Sequence, residues 1–171
     1  DGSGGRFEVE MQPFLVRALR VYSNVAADPA PFTALLDLAE GTAINALVMD
    51  TKEEGGAVMH ESDVPDAVES GAIVGGYPAA ERLAEAKERG LYMITRVVTF
   101  QDAFRAPLRP EHAIRNNETG EVWTNWKGLG WMDPTDPGAW EYPIELAVES
   151  CELGFDEIQF DYVRFPSDGY V

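Results

Sequence analysis

An aspartate closes an apolar, β-branched stretch near the carboxyl end of the sequence. The string "GFDEIQFDYVRFPSDG", residues 154–169, is typical of a helix end, a strand and a turn, and Asp161 ends the strand. A core strand has no structural need for a carboxylate at its carboxyl end. The acid is therefore either solvated or does chemistry, and the rest of the chain has to decide between the two.

The earlier string "INALVMDTK" delivers a second acid to a strand end. Side chains alternate along a strand, so Asp50 and Lys52 are predicted to share one face of it. In the last strand the same alternation separates Asp161 from Ile158 and Phe160, which suit packing against helices. In a barrel the polar faces point into the lumen, which predicts both acids and Lys52 at its carboxyl-end mouth. A structural salt bridge of either acid with a nearby base is the alternative.

Two arginines lie close to these acids. Arg96 stands in the third strand, "LYMITRVVTF", where both faces are largely apolar, so periodicity leaves its direction open. Arg164 follows Asp161 by three residues. A buried arginine beside a carboxylate lowers the pKa of that acid and keeps it ionised. This suits a nucleophile or an electrostatic stabiliser better than a proton donor.

All four tryptophans fall within one connection, "NETGEVWTNWKGLGWMDPTDPGAW". Exposed indoles on a site loop suit stacking against the C–H faces of sugar rings, which makes Trp126 and Trp131 candidate substrate-binding residues. The alternative is a small core beneath the loop, and this is the favoured interpretation for Trp140. Asp133 either accepts hydrogen bonds from sugar hydroxyls or starts the turn at Pro134.

Strand and helix patterns alternate along the chain. Apolar runs cover residues 14–23, 44–52, 91–100 and 156–165, and helical patterns cover 31–40, 78–89 and 138–153. Each helical pattern is followed by a glycine and then a strand, which is typical of a parallel sheet. The long connections 53–77 and 101–137 leave the carboxyl ends of strands, where such folds build sites.

The number of strands bounds the fold class. No glycine-rich phosphate loop follows the first strand, which disfavours a doubly wound nucleotide-binding sheet. A (β/α)8 TIM barrel needs about 250 residues, and four strands in 171 residues make half of one. We therefore expect residues 13–171 to be the N-terminal part of a larger barrel, truncated at its carboxyl end, and residues 1–12 to be a linker or tail.

The net charge of the chain disfavours certain classes of binding partner. Thirteen basic and thirty acidic residues give a net charge of −17, which repels phosphate backbones and anionic membranes. We expect no nucleic-acid partner and a neutral ligand. No stretch approaches the roughly 20 apolar residues of a membrane span. The single cysteine, Cys151, allows no internal disulfide and is predicted to be a buried, inert thiol in a helix.

Metal chemistry has little support in the sequence. The two histidines, His60 and His112, lack the spacing of a zinc or iron hydrolase, and no cofactor is expected. A weak divalent-ion site of oxygen ligands around Asp50, Glu53 and Glu54 is left open.

Three strings together resemble a known family: "ITRVVTFQD", "GEVWTNWKGLGWMDP" and "LGFDEIQFDYVRFP". They are similar to a family of bacterial glycoside hydrolases that was formerly a domain of unknown function. "NALVMDTKEEGG" resembles the second strand of that family, and the similarity runs from about residue 15 to 170. The resemblance implies an alpha-amylase-like (β/α)8 barrel whose fourth strand ends in the catalytic acid, here Asp161.

The resemblance also implies a function. We expect a hydrolase that cleaves glycosidic bonds in a polysaccharide, outside the cell or in its envelope, with Asp161 as nucleophile held ionised by Arg96 or Arg164. The proton donor is expected on a later strand, in the remaining half of the barrel. The candidate substrate-binding residues are Asp50, Lys52, Arg96, Trp126, Trp131, Asp133 and Arg164. A carbohydrate-binding barrel without catalysis, and a metal-assisted hydrolase or lyase with Asp50 and Asp161 as ligands, are the alternatives.

Overall fold

The four predicted strands form one parallel sheet in a computed structural model that describes residues 15–167. Their spatial order follows the chain, β1-β2-β3-β4. The strands are β1 (Ala18–Val21), β2 (Ala46–Lys52), β3 (Tyr92–Val98) and β4 (Glu157–Asp161). Each lies inside its predicted run and is shorter than it. The predicted tail, residues 1–12, lies outside the described residues.

Three helices match the predicted patterns and connect successive strands. They are α2 (Pro29–Glu40), α4 (Ala79–Glu88) and α6 (Glu141–Leu153). Asp28 caps α2 by accepting a hydrogen bond from the amide of Ala30, and α6 ends at Gly154, whose φ of 112° lies in the left-handed region.

Shorter helices fill the rest of the connections. They are α1 (Ser23–Ala27), α3 (Pro65–Ser70), α5 (Arg105–Leu108) and two 3-10 turns, Pro110–His112 and Pro137–Ala139. None of them was predicted, because such pieces are too short to show a helical period. None of the helices within residues 15–167 is long and apolar enough to cross a membrane.

The main core lies between one face of the sheet and the helices. Leu47 and Met49 of β2 and Met93 of β3 are buried there against Phe32 and Leu83. This confirms the predicted alternation over the first part of β2. The opposite face of the sheet, called the inner face below, carries the acids.

An irregularity near the end of β2 interrupts that alternation. The pairing of β2 with β3 shifts between Asp50 and Lys52. Thr51 and Lys52 consequently both face α6: Thr51 Oγ1 lies 2.9 Å from Ser150 Oγ, and Lys52 Nζ lies 5.4 Å from the ring centroid of Tyr142. The prediction that Lys52 shares a face with Asp50 is therefore wrong, because a bulge places two successive side chains on one side.

Some apolar surface of α6 and β4 is open. Phe160 of β4 and Val163 beyond it are exposed and line a groove of about 390 Å³ with Ile144 of α6. Cys151 is exposed as well, which contradicts the predicted buried thiol. The buried stripe of α6 includes Ser150, and the next residue points about 100° away from that stripe.

Candidate active site

Arg96 is the centre of the inner face. It lies in β3, only 5% exposed, and its guanidinium contacts three carboxylates. The distances are 2.7 Å from Nε to Asp161 Oδ2, 3.2 Å from Nη1 to Asp50 Oδ1 and 2.8 Å from Nη2 to Glu54 Oε1. The direction of Arg96, which periodicity left open, is inward, and it joins the two acids that the strand patterns bring to the mouth.

A second arginine completes the group. Arg20 of β1 binds Asp50 Oδ2 at 2.8 Å and lies 3.6 Å from Glu54. We call these five residues the inner charge cluster: Arg20, Asp50, Glu54, Arg96 and Asp161. Both carboxylate oxygens of Asp50 are bound by guanidinium groups and the side chain is buried, so Asp50 has little surface left for a ligand. It positions the two arginines.

Both carboxylate oxygens of Asp161 accept hydrogen bonds, and the side chain is still accessible to solvent. Arg96 donates to Oδ2, and the backbone amide of Tyr162 donates to Oδ1 at 2.7 Å. Burial acts to raise the pKa of Asp161, but the hydrogen bonds from Arg96 and Tyr162 and their positive surroundings bring it below its ordinary value. The side chain remains 38% exposed. An ionised, oriented and accessible carboxylate can act as a nucleophile.

Tyr162, directly after this acid, has a strained backbone. Its φ is +55°, which non-glycine residues rarely adopt. Its ring centroid lies 5.9 Å from that of Trp131, and the guanidinium carbon of Arg164 lies 5.0 Å from it. The packed ring holds the backbone in the conformation that aims the amide at Asp161. Nothing in the sequence pattern marked Tyr162 as a site residue.

A cavity of about 600 Å³ opens beside the cluster. Glu54 of the first long connection and Tyr162 line it together with residues of the second, among them Gln101, Asn125, Trp126 and Lys127. Gln101 Nε2 donates to the main-chain oxygen of Glu54 and ties the two connections together. Glu54 is a second residue that periodicity could not find, because it lies outside a strand; its only signal was the acidic pair in "DTKEEGG".

The tryptophans divide differently from the predictions. Trp126 is 82% exposed at the cavity, which suits the predicted stacking platform. Trp131 is 2% exposed within a small core of the connection, so the prediction of an exposed sugar platform there is wrong. Trp140, expected to pack inward, is 43% exposed, because its indole Nε1 reaches back to donate to the carbonyl of Pro134.

Two further candidates have local roles in the structure. Asp133 Oδ1 accepts from the amide and the hydroxyl of Thr135, at 2.8 and 2.7 Å, which fits the turn alternative. Arg164 is exposed and donates to the carbonyl of Phe165. Of the two arginines expected to hold Asp161, it is Arg96 that does so within residues 15–167.

Lys52 lies away from the mouth altogether. Its side chain is 0% exposed, with Nζ 2.8 Å from Asp102 Oδ2 and donating to the carbonyls of Val98 and Thr99. Burial lowers the pKa of Lys52, opposed by the charge of Asp102. The predicted contact of Lys52 with substrate is wrong for the geometric reason given above: the bulge turns it to the helix side.

The acidic residues at the mouth are poor ligands for a cation. Asp50 and Glu54 are already bound to guanidinium groups. Burial, and then the charges of Asp50 and Glu54, raise the pKa of Glu53. Across the part of the chain that the structure describes, no group of three or more His, Cys, Asp or Glu residues is arranged to hold a metal ion.

Several solved structures with a similar fold are those of glycosidases. A maltogenic alpha-amylase from Thermotoga neapolitana matches with 17% identity and a TM-score of 0.58, covering 85% of this chain and 38% of that chain. An alpha-galactosidase from Thermus thermophilus matches with 19% identity and a TM-score of 0.58, covering 90% and 32%. At these identities the likeness concerns the fold alone. The chain spans about a third of either enzyme, which confirms the predicted half of a (β/α)8 barrel.

Two matches are more specific. A hypothetical protein from Ruminiclostridium thermocellum is 36% identical, with a TM-score of 0.84, and the match covers 87% of this chain and 78% of that chain. No curated protein matches the sequence. The sequence model of one family, described as "Putative glycosyl hydrolase domain", matches residues 18–171. Geometry and sequence therefore agree, and the chain belongs to this glycosyl hydrolase family.

Proposed function

We propose that this chain forms part of a glycoside hydrolase that cleaves a polysaccharide, with Asp161 as its nucleophile. One observation carries the proposal: both oxygens of Asp161 are held by donors, from Arg96 and from the amide of Tyr162, while the side chain stays open at the barrel mouth. A carboxylate held in this way is ionised at neutral pH and needs no rearrangement before it attacks.

In the proposed reaction Asp161 attacks the anomeric carbon while the bond to the leaving sugar breaks. A glycosyl–enzyme ester forms, and water then hydrolyses it. Arg96 keeps the attacking carboxylate ionised and aimed, and it shares its positive charge with Glu54 and Asp50. The tight hold on Oδ2 leaves Oδ1, on the amide side, as the oxygen with the weaker charge compensation.

The leaving oxygen needs a proton from a carboxylic acid of raised pKa. Glu54 is unsuited, because a backbone hydrogen bond and Arg96 outweigh burial and lower its pKa. We propose that the donor lies on a later strand, contributed by the remaining half of the barrel. Glu53, with its raised pKa, is the second candidate. An aryl glycoside with a good leaving group needs little help from a donor, so a donor variant still forms the glycosyl–enzyme ester on that substrate, measured as a burst of released phenol, but not on the polysaccharide.

The test uses the full-length protein that contains this chain. Hydrolysis of aryl glycosides and of polysaccharides is measured for the unmodified protein, Asp161→Asn and the control Glu157→Gln, an exposed acid on the same strand. We expect Asp161→Asn to lower kcat on the order of 10⁴-fold with sugar binding retained, and the control to keep its activity. Turnover by Asp161→Asn equal to that of the unmodified protein removes Asp161 from the mechanism.

A carbohydrate-binding barrel without catalysis is the second candidate function. The observation in its favour is Trp126, whose indole is exposed beside a roomy cavity and would bind a sugar without any reaction. The same experiment separates the two: a full-length protein that binds a polysaccharide but releases no reducing ends from it is a binding module.

A further inference from the structure

Basic side chains in this acidic protein are mostly paired with carboxylates. Arg20, Lys52, Arg82, Lys87, Arg89, Arg96, Arg105 and Arg109 all form salt bridges. Among residues 15–167, Arg17, Arg115, Lys127 and Arg164 have no carboxylate partner. Of these four, Lys127 lines the cavity and Arg164 lies against Tyr162, one of its wall residues.

Lys127 is placed by an ordered turn. The side-chain oxygen of Asn125 accepts from the amides of Lys127 and Leu129, at 2.9 and 3.0 Å, which fixes the tip of the connection. Lys127 lines the cavity with Nζ 4.9 Å from the ring centroid of Trp126. Since Trp126 is 82% exposed even with the ammonium over one face, much of its surface remains free to stack on a sugar.

Arg164 lies just beyond β4, against the wall of the same cavity. Its guanidinium carbon lies 5.1 Å from the ring centroid of Trp131 and 5.0 Å from that of Tyr162, a wall residue of the cavity. Within residues 15–167 it makes one hydrogen bond, to the carbonyl of Phe165, which leaves most of its donors without a partner in that part of the chain. An exposed guanidinium packed beside aromatic rings can bind a carboxylate through its N–H donors.

The acids of the cavity do not oppose an anion as strongly as their number implies. Glu54 and Asp161 share the guanidinium of Arg96, and Arg20 adds a second positive charge. The net charge of −17 repels an anionic polymer at long range. Two cations that have no carboxylate partner within residues 15–167 can supply the local attraction that binding such a polymer needs.

We propose that the polysaccharide substrate is anionic, and that a charged group on its sugar units is bound by Lys127 and Arg164 beside Trp126. The inference rests on the proposed function, because it names the substrate class of the same site. It reverses the expectation of a neutral ligand that the overall charge suggested.

Binding is tested on the full-length protein carrying Asp161→Asn, so that ligands are not consumed. Calorimetric titrations compare oligosaccharides of galacturonate, of alginate and of carrageenan with methyl-esterified galacturonate as the neutral counterpart. We expect an anionic oligosaccharide to be the tightest ligand. If galacturonate oligosaccharides bind, their affinity should be at least about tenfold higher than that of the methyl ester. Binding of carrageenan alone supports the anion site and assigns sulfate instead of carboxylate.

Single substitutions then locate the site. We expect Lys127→Gln and Arg164→Gln each to lower the affinity for the anionic ligand by about tenfold and to leave the affinity for any neutral ligand unchanged. Arg115→Gln is the matched control, because Arg115 also lacks a carboxylate partner among the described residues but hydrogen-bonds to Gly120 and does not line the cavity. Circular dichroism checks that each variant is folded.

Two outcomes overturn the proposal: no anionic oligosaccharide binds, or the tightest ligand is neutral and unaffected by Lys127→Gln. Failure of the proposed function has a different signature. In that case the protein with Asp161 intact binds the anionic oligosaccharide through Lys127 and Arg164 but releases no reducing ends.

Discussion

The carboxyl ends of the strands carry two groups of buried charges, one on each face of the sheet. On the helix side, Lys52 and Asp102 are both fully buried and bind each other at 2.8 Å. Asp102 Oδ1 also accepts from the backbone amides of Phe104 and Arg105, and Lys52 donates to two strand-end carbonyls. On the inner face, Asp161 and its partners keep exposed edges.

The two groups contain similar residue types and differ in how much of their charged surface remains accessible to a ligand. Lys52 and Asp102 neutralise each other, and their hydrogen bonds to the backbone tie the second long connection to the sheet. The inner charge cluster holds its acids ionised but leaves Asp161 and Glu54 more than a third exposed. A buried ion pair with closed surroundings has no atom left for a ligand and becomes costly only when one partner is removed, whereas a pair with an accessible member can react.

The largest effect expected from this contrast is on stability, in Lys52→Met. The substitution leaves Asp102 buried without its counter-ion and should cost about 3–5 kcal/mol of unfolding free energy. Denaturant unfolding of the full-length protein measures it, and kcat/KM of the folded protein should stay within about twofold. Adding Asp102→Asn removes the stranded charge and should recover part of the loss. A stable Lys52→Met variant with impaired catalysis would reverse the roles of the two groups.

On the inner face, Arg96→Lys should act on activity. A lysine offers a single nitrogen on a flexible stem and cannot reproduce the planar fork by which Arg96 reaches three carboxylates, so kcat/KM should fall about 100-fold, on the order of 2.7 kcal/mol. Because Arg96 lowers the pKa of Asp161, its loss raises that pKa. The ionised form is the nucleophile, so the acid limb of the pH profile of kcat/KM should move to higher pH. Arg89→Lys, in a surface pair with Asp37, is the control and should change neither.

A smaller effect is expected at the exposed platform. Trp126→Ala should raise KM about three- to tenfold, in line with about 0.5–1.5 kcal/mol for an aromatic contact. The unfolding free energy should change by no more than about 0.5 kcal/mol, because the indole is mostly in solvent. Trp140→Ala, which removes an exposed indole away from the cavity, serves as the comparison and should leave KM unchanged.

The smallest effect concerns the backbone at Tyr162. Both Tyr162→Ala and Tyr162→Gly remove the ring, but only glycine adopts a φ of +55° without strain. The glycine variant should therefore be more stable than the alanine variant by about 1 kcal/mol. Denaturant midpoints of the two proteins, measured side by side, give the difference. Equal stability would mean that the left-handed conformation at this position carries no strain.

The strands and part of the site could be predicted from the sequence. Alternation around Ile158 and Phe160 correctly put Asp161 on the inner face, because β4 has one polar and one apolar face. It was silent on Arg96, since β3 is apolar on both faces and its arginine is buried by ion pairs that no period reveals. It failed at Lys52, because a bulge leaves no mark in residue types.

The connections were the least predictable part. Trp126 and Trp131 lie five residues apart in similar surroundings, and only the folded connection exposes one and buries the other. Glu54 was considered only as a possible metal ligand, and Tyr162 was missed, for the same reason: each lies just beyond a strand, where the chain turns and side-chain direction no longer follows a period. What remained unpredictable was set by contacts between distant segments.

The bulge at Thr51 makes the register of β2 a determinant of which side of the sheet a charge occupies. If β2 ran straight with Thr51 in place, plain alternation would turn the ammonium group into the lumen beside two guanidinium groups and leave the carboxylate of Asp102 without its partner behind the sheet. Loss of the bulge would thus damage the chemistry and the scaffold together. Anyone transplanting this mouth onto another barrel would have to carry the bulge, its lysine and the aspartate across as one inseparable unit.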